Sequence, residues 1–465
     1  MTQGTEPVIA PAGHLHGVVR GARTTINLRL GTRTVELDEV EYAAWLLAHG
    51  LADVGPHLLS AAALGTLVGD PSPLERLYDR GLLVEVPSDP ARYRAFAEAY
   101  RLVPLVHGLG NSPDGSAWQF RIGLPGESGA TAGLAGAWAE LHTLGYEIWR
   151  WSAATRSLAE AGDLLVAAAD SARSSNPAHE GLGGLDDRIA RDHGIAIVAP
   201  LLTGWAAALQ PASPTPLVPG PRGAGSPLPP PEPVDPFTAL DPEEMLSVPW
   251  EPGRPDSPVA RIPRWEAEPG HPGAAGWLFA VGHDGGSFYH PADSSFVSRT
   301  VRVGADDHQL DDGEGRIWEL TRRAATDRLW TRTSIAATAV GEGVPDAGRR
   351  LDGLIERGLI VEVHPGTDRA VAFARAYRLH PLLHGLGNPE DDPAMFEYGV
   401  PGRFRVGATT GRTALLWRTA GQWPTLWDAI TAVSGNDTEH YLTYWGLHGV
   451  RDLLCDGLAY LDLAP

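Results

Sequence analysis

Leu74–Asn111 reads LERLYDRGLLVEVPSDPARYRAFAEAYRLVPLVHGLGN, and Leu351–Asn388 reads LDGLIERGLIVEVHPGTDRAVAFARAYRLHPLLHGLGN. The second stretch lies 277 residues beyond the first, and 23 of the 38 positions are identical without a gap. Several remaining differences are conservative, such as Leu83/Ile360 and Val106/Leu383. The chain therefore carries a tandem duplication. Such a signal defines an architecture far more clearly than an activity.

Towards the N-terminus the first copy shows alternation from Thr24, with Ile26, Leu28 and Leu30 apolar and Asn27 and Arg29 between them. Gly31-Thr32 turns the chain before Val35 and Leu37, which predicts a two-stranded hairpin. Asp38, followed three positions later by Glu41, has capping-box spacing at the head of a helix that buries Trp45. A second helix is expected over Pro56–Thr66 and a third over Pro73–Asp79, stopped by Gly81, with a strand over Leu82–Val86. The other copy repeats this order: Val301-Arg302-Val303-Gly304 matches Leu28-Arg29-Leu30-Gly31 at an offset of 273, and Trp318 matches Trp45. The offset reaches 277 by Leu351, so four residues were gained between the first and third helices, in a loop.

Two strands, three helices and a strand form a winged-helix arrangement. The line LDDGEGRIWEL followed by LDGLIERGLIVEV also resembles the small PqqD-like family, best over residues 297–363 and less closely over 24–86. That family contains recognition elements that hold the leader peptides of ribosomally made, modified natural products. The resemblance implies a peptide groove between the strand Phe296–Val303, with Val301 and Val303, and the helix Arg349–Arg357, with Arg349, Arg350 and Asp352 on its rim.

Each copy continues with a further helix, Arg-Leu-x-Pro-Leu and His-Gly-Leu-Gly-Asn, then a diverged part with Trp149-Arg150 or Trp417-Arg418 on a helix. The ends at Leu201–Leu209 and Leu453–Leu461 repeat the helix–strand close of the earlier units. The expected fold is α+β: a tandem duplication of helix-rich winged-helix-like units, four in all, around a Pro-rich linker. The boundaries are an N-terminal segment 1–23, unit one with its junction 24–111, unit two 112–210, linker 211–272, unit three with its junction 273–388, and unit four 389–465. The linker holds 19 of the 40 prolines and cannot sustain regular structure. Trp250 and Trp265 within it could dock on a neighbouring domain or be read by a partner.

Composition narrows function mostly by exclusion. No apolar run reaches the roughly 20 residues of a membrane span. The start has no basic-then-apolar signal pattern, and Cys455 is the single cysteine, which together point to the cytoplasm. All 37 basic residues are Arg, which removes Schiff-base and phosphate-loop lysine chemistry. The net charge of −20 repels nucleic acid at long range.

His107-Gly108-Leu109-Gly110-Asn111 and its twin His384–Asn388 are the most suggestive polar residues, because glycines let a ligand approach the backbone. The alternative is a structural turn in which His107, Asn111, His384 and Asn388 satisfy backbone groups. His380 and His384 share a metal-pair spacing, but Pro381 intervenes and Val103 replaces His380 in the first copy, so no metal is expected. No nucleotide loop or nucleophile–base motif is found, so neither a cofactor nor catalysis is expected. DNA binding, the common use of winged helices, would fall to Arg322, Arg323, Arg328, Arg332, Arg349 and Arg350 of the third unit. Residues 24–86 carry four Arg against nine acids and 297–363 ten against twelve, which disfavours that alternative. The reading that remains is a non-catalytic adaptor taking a protein or peptide by strand addition.

Overall fold

The computed structural model describes residues 7–20, 24–50, 57–111, 119–124, 136–175, 194–213, 276–290, 293–323, 331–435 and 438–465. Most of the Pro-rich stretch, with Trp250 and Trp265, lies outside them, as does Arg328. The described chain is α+β.

One order of elements runs through it four times: a strand, a three-stranded antiparallel meander, three helices, and a strand that pairs with the first. The first unit comprises β1 (Val8–Pro11), β2 (His14–Val19), β3 (Thr25–Leu30), β4 (Arg33–Leu37), α1 (Glu39–Leu47), α2 (Ala61–Val68), α3 (Ser72–Asp79) and β5 (Leu83–Val86). Helix α4 (Pro90–Ala99) links it to β6 (Tyr100–Pro104), β7 (His107–Asn111), β8 (Gln119–Leu124), β9 (Gly136–His142), α5 (Thr143–Ser152), α6 (Leu158–Ser175), α7 (Gly194–Thr203) and β10 (Ala207–Pro211). The third unit is β11 (Trp277–Ala280), β12 (His283–Tyr289), β13 (Phe296–Val303), β14 (Asp306–Leu310), α8 (Asp312–Leu320), α9 (Arg332–Gly341), α10 (Ala347–Glu356) and β15 (Ile360–Val363). After α11 (Asp368–Ala376), the fourth is β16 (Tyr377–Pro381), β17 (His384–Gly387), β18 (Met395–Val400), β19 (Phe404–Thr410), α12 (Gly411–Ala420), α13 (Leu426–Ser434), the short α14 (Thr438–Tyr441), a π turn (Leu442–Gly446), α15 (Leu447–Cys455) and β20 (Ala459–Leu463).

Local chemistry explains the repetition. Asp38 with Glu41 and Asp311 with Glu314 form complete capping boxes at α1 and α8, as their spacing predicts. The third helix of each unit ends on a left-handed residue, Gly81, Trp205, Gly358 or Gly457. The next amide then reaches back five residues: Leu82 to Leu77, Ala206 to Leu201, Leu359 to Leu354 and Leu458 to Leu453, all at 2.8–2.9 Å. Trp45, Trp149, Trp318 and Trp417 sit on the first helix of each unit, fully buried. Their indole N–H groups donate to the carbonyls of Ala12, Ala206, Val281 and Leu382, so each large ring is buried with its one polar atom satisfied.

Several boundaries differ from expectation. The N-terminal segment 1–23 contains β1 and β2, so the expected hairpin is two strands of a three-stranded meander and β1 pairs with β5. These strands are buried on both faces, which erases the alternation that marks a half-buried strand. The junction 87–111 is divided: α4 is the link, while β6 and β7 open the second unit, β6 pairing with β10 and β7 with β8. The second helix begins at Ala61, behind the Ser60 cap, rather than at Pro56.

The meanders fuse in pairs into two six-stranded sheets, β19-β18-β17-β2-β3-β4 and β14-β13-β12-β7-β8-β9. The first and fourth units share one sheet, and the second and third share the other, each through a parallel contact: Gly387 opposite Val18 and Ser287 opposite Gly110. The remaining contacts close the set. Gln210 of β10 holds the β3–β4 turn through the Gly31 amide at 2.7 Å, and Asp462 of β20 holds the β13–β14 turn through the Gly304 amide at 2.6 Å.

Candidate functional site

All four seam strands begin His-x-x-Gly: His14–Gly17, His107–Gly110, His283–Gly286 and His384–Gly387. The glycines have φ of +116°, +74°, +88° and +101°, and each lies at a bulge in its meander. A side chain there would enter the neighbouring unit's backbone: a Cβ on Gly110 would stand 1.7 Å from the Ser287 carbonyl oxygen. The glycines therefore serve close approach of two sheets rather than of a ligand.

The polar residues of the motif face the same seam. The Asn111 amide donates to the Tyr289 carbonyl at 2.9 Å and accepts from its N–H at 2.7 Å, in the manner of one more β-bridge. Asn388 does the same with Arg20, at 2.8 and 2.6 Å. His384 Nδ1 accepts from the Leu15 amide at 3.2 Å, and His107 lies against the Arg322 guanidinium. His14 Nε2 meets the Leu383 carbonyl and His283 Nε2 the Val106 carbonyl. The four histidines are essentially inaccessible. Burial, and for three of them a neighbouring Arg, holds them far below the ordinary imidazole value, to about 3 for His283 and His384. They are neutral packing groups near pH 7. The expected ligand turn is corrected: His107, Asn111, His384 and Asn388 form strands and fix the pairing of units.

The expected peptide groove moves by one strand. β13 is paired on both sides, by β12 and β14, and Val301 and Val303 are buried, so this strand cannot accept another. The open edge is β14, and in the first unit β4. The end of the third helix stands beside it: Arg357 donates to the Gln309 carbonyl of β14 at 3.2 Å, and Arg80 to the Glu36 carbonyl of β4. Arg350 binds Asp311 at 2.5 Å, Arg349 binds Asp346 at 2.8 Å, and Asp352 receives Arg332 at 2.6 Å, so the rim residues form a lattice of surface ion pairs.

The arginines of the DNA-binding alternative do not assemble as a free basic face. Arg322 is buried between Asp284 and His107. Arg323 pairs with Glu342, and Arg332 with both Asp352 and Glu362. A guanidinium already neutralised by a carboxylate has little left for phosphate.

Sequence reasoning missed Asp284, fully buried, which accepts Arg299 at 2.5 Å and Arg322 at 3.3 Å beneath the third unit's first helix. The two arginines keep its carboxyl ionised against the cost of burial. It also missed Arg101, Gln210, Arg378 and Asp462 at the centre of the molecule. The fourfold His-x-x-Gly spacing was the available signal, hidden because only two of its occurrences lie in the long identity. Among the described residues no group of three or more His, Cys, Asp or Glu could hold a metal ion. No helix among them is long and apolar enough to cross a membrane. Comparisons with protein-family models, with curated proteins and with solved structures find no match to this chain.

Proposed function

We propose that this chain is a non-catalytic adaptor built by duplication of winged-helix-like units, and that it captures an extended protein or peptide segment by strand addition. The observation that carries the reading is the open edge of β14 beside the end of α10, repeated at β4 beside α3. An added strand would bond through the outward backbone groups of β14 and take its specificity from the helix face alongside. Arg357 now occupies the Gln309 carbonyl, so it acts as a latch that an incoming N–H replaces. The net charge of −20 favours a basic or neutral segment over an acidic one.

The test compares the full chain with Gln309→Pro, which removes an edge N–H and adds a ring on the strand. Each is immobilised and challenged with nuclease-treated lysate, then washed at rising salt. Recovery of one specific protein by the wild-type chain, resistant to salt and lost in Gln309→Pro, is the expected result. Equal recovery by both, or recovery of nucleic acid alone before nuclease treatment, defeats the reading.

A further inference from the structure

The four units meet around arginines that lack partners. On the β16–β20 ribbon, Arg378 stands opposite Asp462 and His380 opposite Tyr460, so the four side chains share one face. Arg302 of the third unit reaches onto that face, donating to Asp462 at 3.0 Å and towards the Tyr460 hydroxyl at 3.4 Å. On the β6–β10 ribbon, Arg101 stands opposite Gln210, whose amide donates to the Arg29 carbonyl at 3.1 Å. The ribbons are tied by the Leu383 amide, which donates to the Leu105 carbonyl at 2.8 Å. The charges that bear on Arg101 are Arg378 and Arg29, and no carboxylate is among them.

Four guanidinium groups, Arg29, Arg101, Arg302 and Arg378, thus converge on one carboxylate, Asp462. Each has its Nε buried without a hydrogen-bond partner among the described residues. Arg101 and Arg378 form no ion pair among those residues, although Arg378 is only 6% exposed. Arg101 keeps some contact with solvent. Burial and the like charges of Arg378 and Arg29 lower Arg101 only to about 9, so it remains a cation at neutral pH. Uncompensated buried cations are costly, and an arginine cannot escape by losing its proton. The arginines also form matched pairs, Arg101 with Arg378 at the offset of 277 and Arg29 with Arg302 at 273.

We propose that this central cluster is a binding site for a multiply charged tetrahedral oxyanion, a phosphate or phosphoryl group, which completes the junction of the four units. Planar guanidinium forks match oxyanion geometry and would give the orphaned Nε–H groups acceptors. A single chloride would leave most of the excess positive charge in place, so a multivalent anion fits better. The site is independent of the β14 edge, and it can fail while the adaptor reading stands.

The test uses the full chain dialysed into phosphate-free, low-chloride buffer. Equilibrium dialysis with radiolabelled inorganic phosphate should find saturable binding near one equivalent per chain. Thermal denaturation should show a rise in Tm with added phosphate that sodium chloride at equal ionic strength does not give. Arg378→Gln and Arg101→Gln should lose that rise. Pyrophosphate and a nucleoside triphosphate in parallel separate the two sources: a larger rise with either assigns the site to a phosphoryl group of a larger ligand. Absence of saturable phosphate binding to the unaltered protein overturns the proposal, whatever the folding of the variants. So does a Tm response identical to that of chloride, or one retained in both variants.

Discussion

Gly387 and Val18 meet where the fourth unit's sheet joins the first: a Cβ on Gly387 would lie 1.8 Å from the Val18 carbonyl oxygen. Gly387→Ala, and Gly110→Ala at the equivalent seam, must therefore separate two sheets as well as strain a left-handed backbone. A loss above about 4 kcal/mol is expected, beyond the range of ordinary substitutions. Gly457 provides the control, with φ +67° and nothing within 4 Å of its Cβ position. There only backbone strain applies, and Gly457→Ala should cost about 1 kcal/mol. Chemical denaturation of the three variants checks this, and equal losses at Gly387 and Gly457 would contradict the seam.

Asn111 and Asn388 each hold a neighbouring strand through both halves of the side-chain amide. Asn111→Ala leaves the Tyr289 N–H and carbonyl unpaired, at a cost of about 1–3 kcal/mol. Asn111→Asp should be no better, because a carboxylate keeps the acceptor but loses the donor to the Tyr289 carbonyl. A ligand-turn role would instead leave stability unchanged in both variants, so urea titration distinguishes the two.

How much of this was legible beforehand depends on whether the signal was local. Capping boxes, the glycine stops of third helices and the tryptophans of first helices act within a few residues, and they are written plainly at Asp38, Gly81 and Trp45. The seam was not legible, because Gly110 and Ser287 are far apart in sequence and glycine at a bulge looks like glycine in a turn. The sheet edge was misplaced for a related reason. β12 carries two glycines and polar residues, has no alternation, and was not recognised as the strand that makes β13 internal. The central arginines were visible as repeated residues, but their convergence requires four units that no periodicity brings together.

Buried histidines make the fold acid-sensitive in a definite window. His14, His16, His107, His283, His380 and His384 are all held well below 6.5, with His283 and His384 at about 3. Below pH 6.5 the unfolded chain takes up protons that the folded chain refuses, so stability is full above 6.5 and falls as pH drops towards 3. Each such group contributes at most about 1.4 kcal/mol per pH unit. His380 stacks on Tyr460, and its counterpart in the first copy is Val103. His380→Val should flatten the acid limb of a Tm-against-pH curve while changing stability at pH 7.5 by less than about 1.5 kcal/mol. An unchanged acid limb would remove His380 from the account.

Asp462 and Gln210 occupy the same place on β20 and β10, and each holds a neighbouring turn through the amide of Gly304 or Gly31. Only Asp462 also carries charge, and it faces Arg302 at zero exposure. Asp462→Asn keeps an acceptor for the Gly304 amide but leaves Arg302 without its carboxylate. Breaking a buried pair from one side costs about 3–5 kcal/mol, against about 1 kcal/mol for an ordinary hydrogen bond. Arg302→Met in the same background removes the stranded cation, and should recover part of the loss. A double-mutant cycle by chemical denaturation measures the coupling. Additive losses would mean that Asp462 acts through the Gly304 turn alone, and the charge at the centre would then be balanced without it.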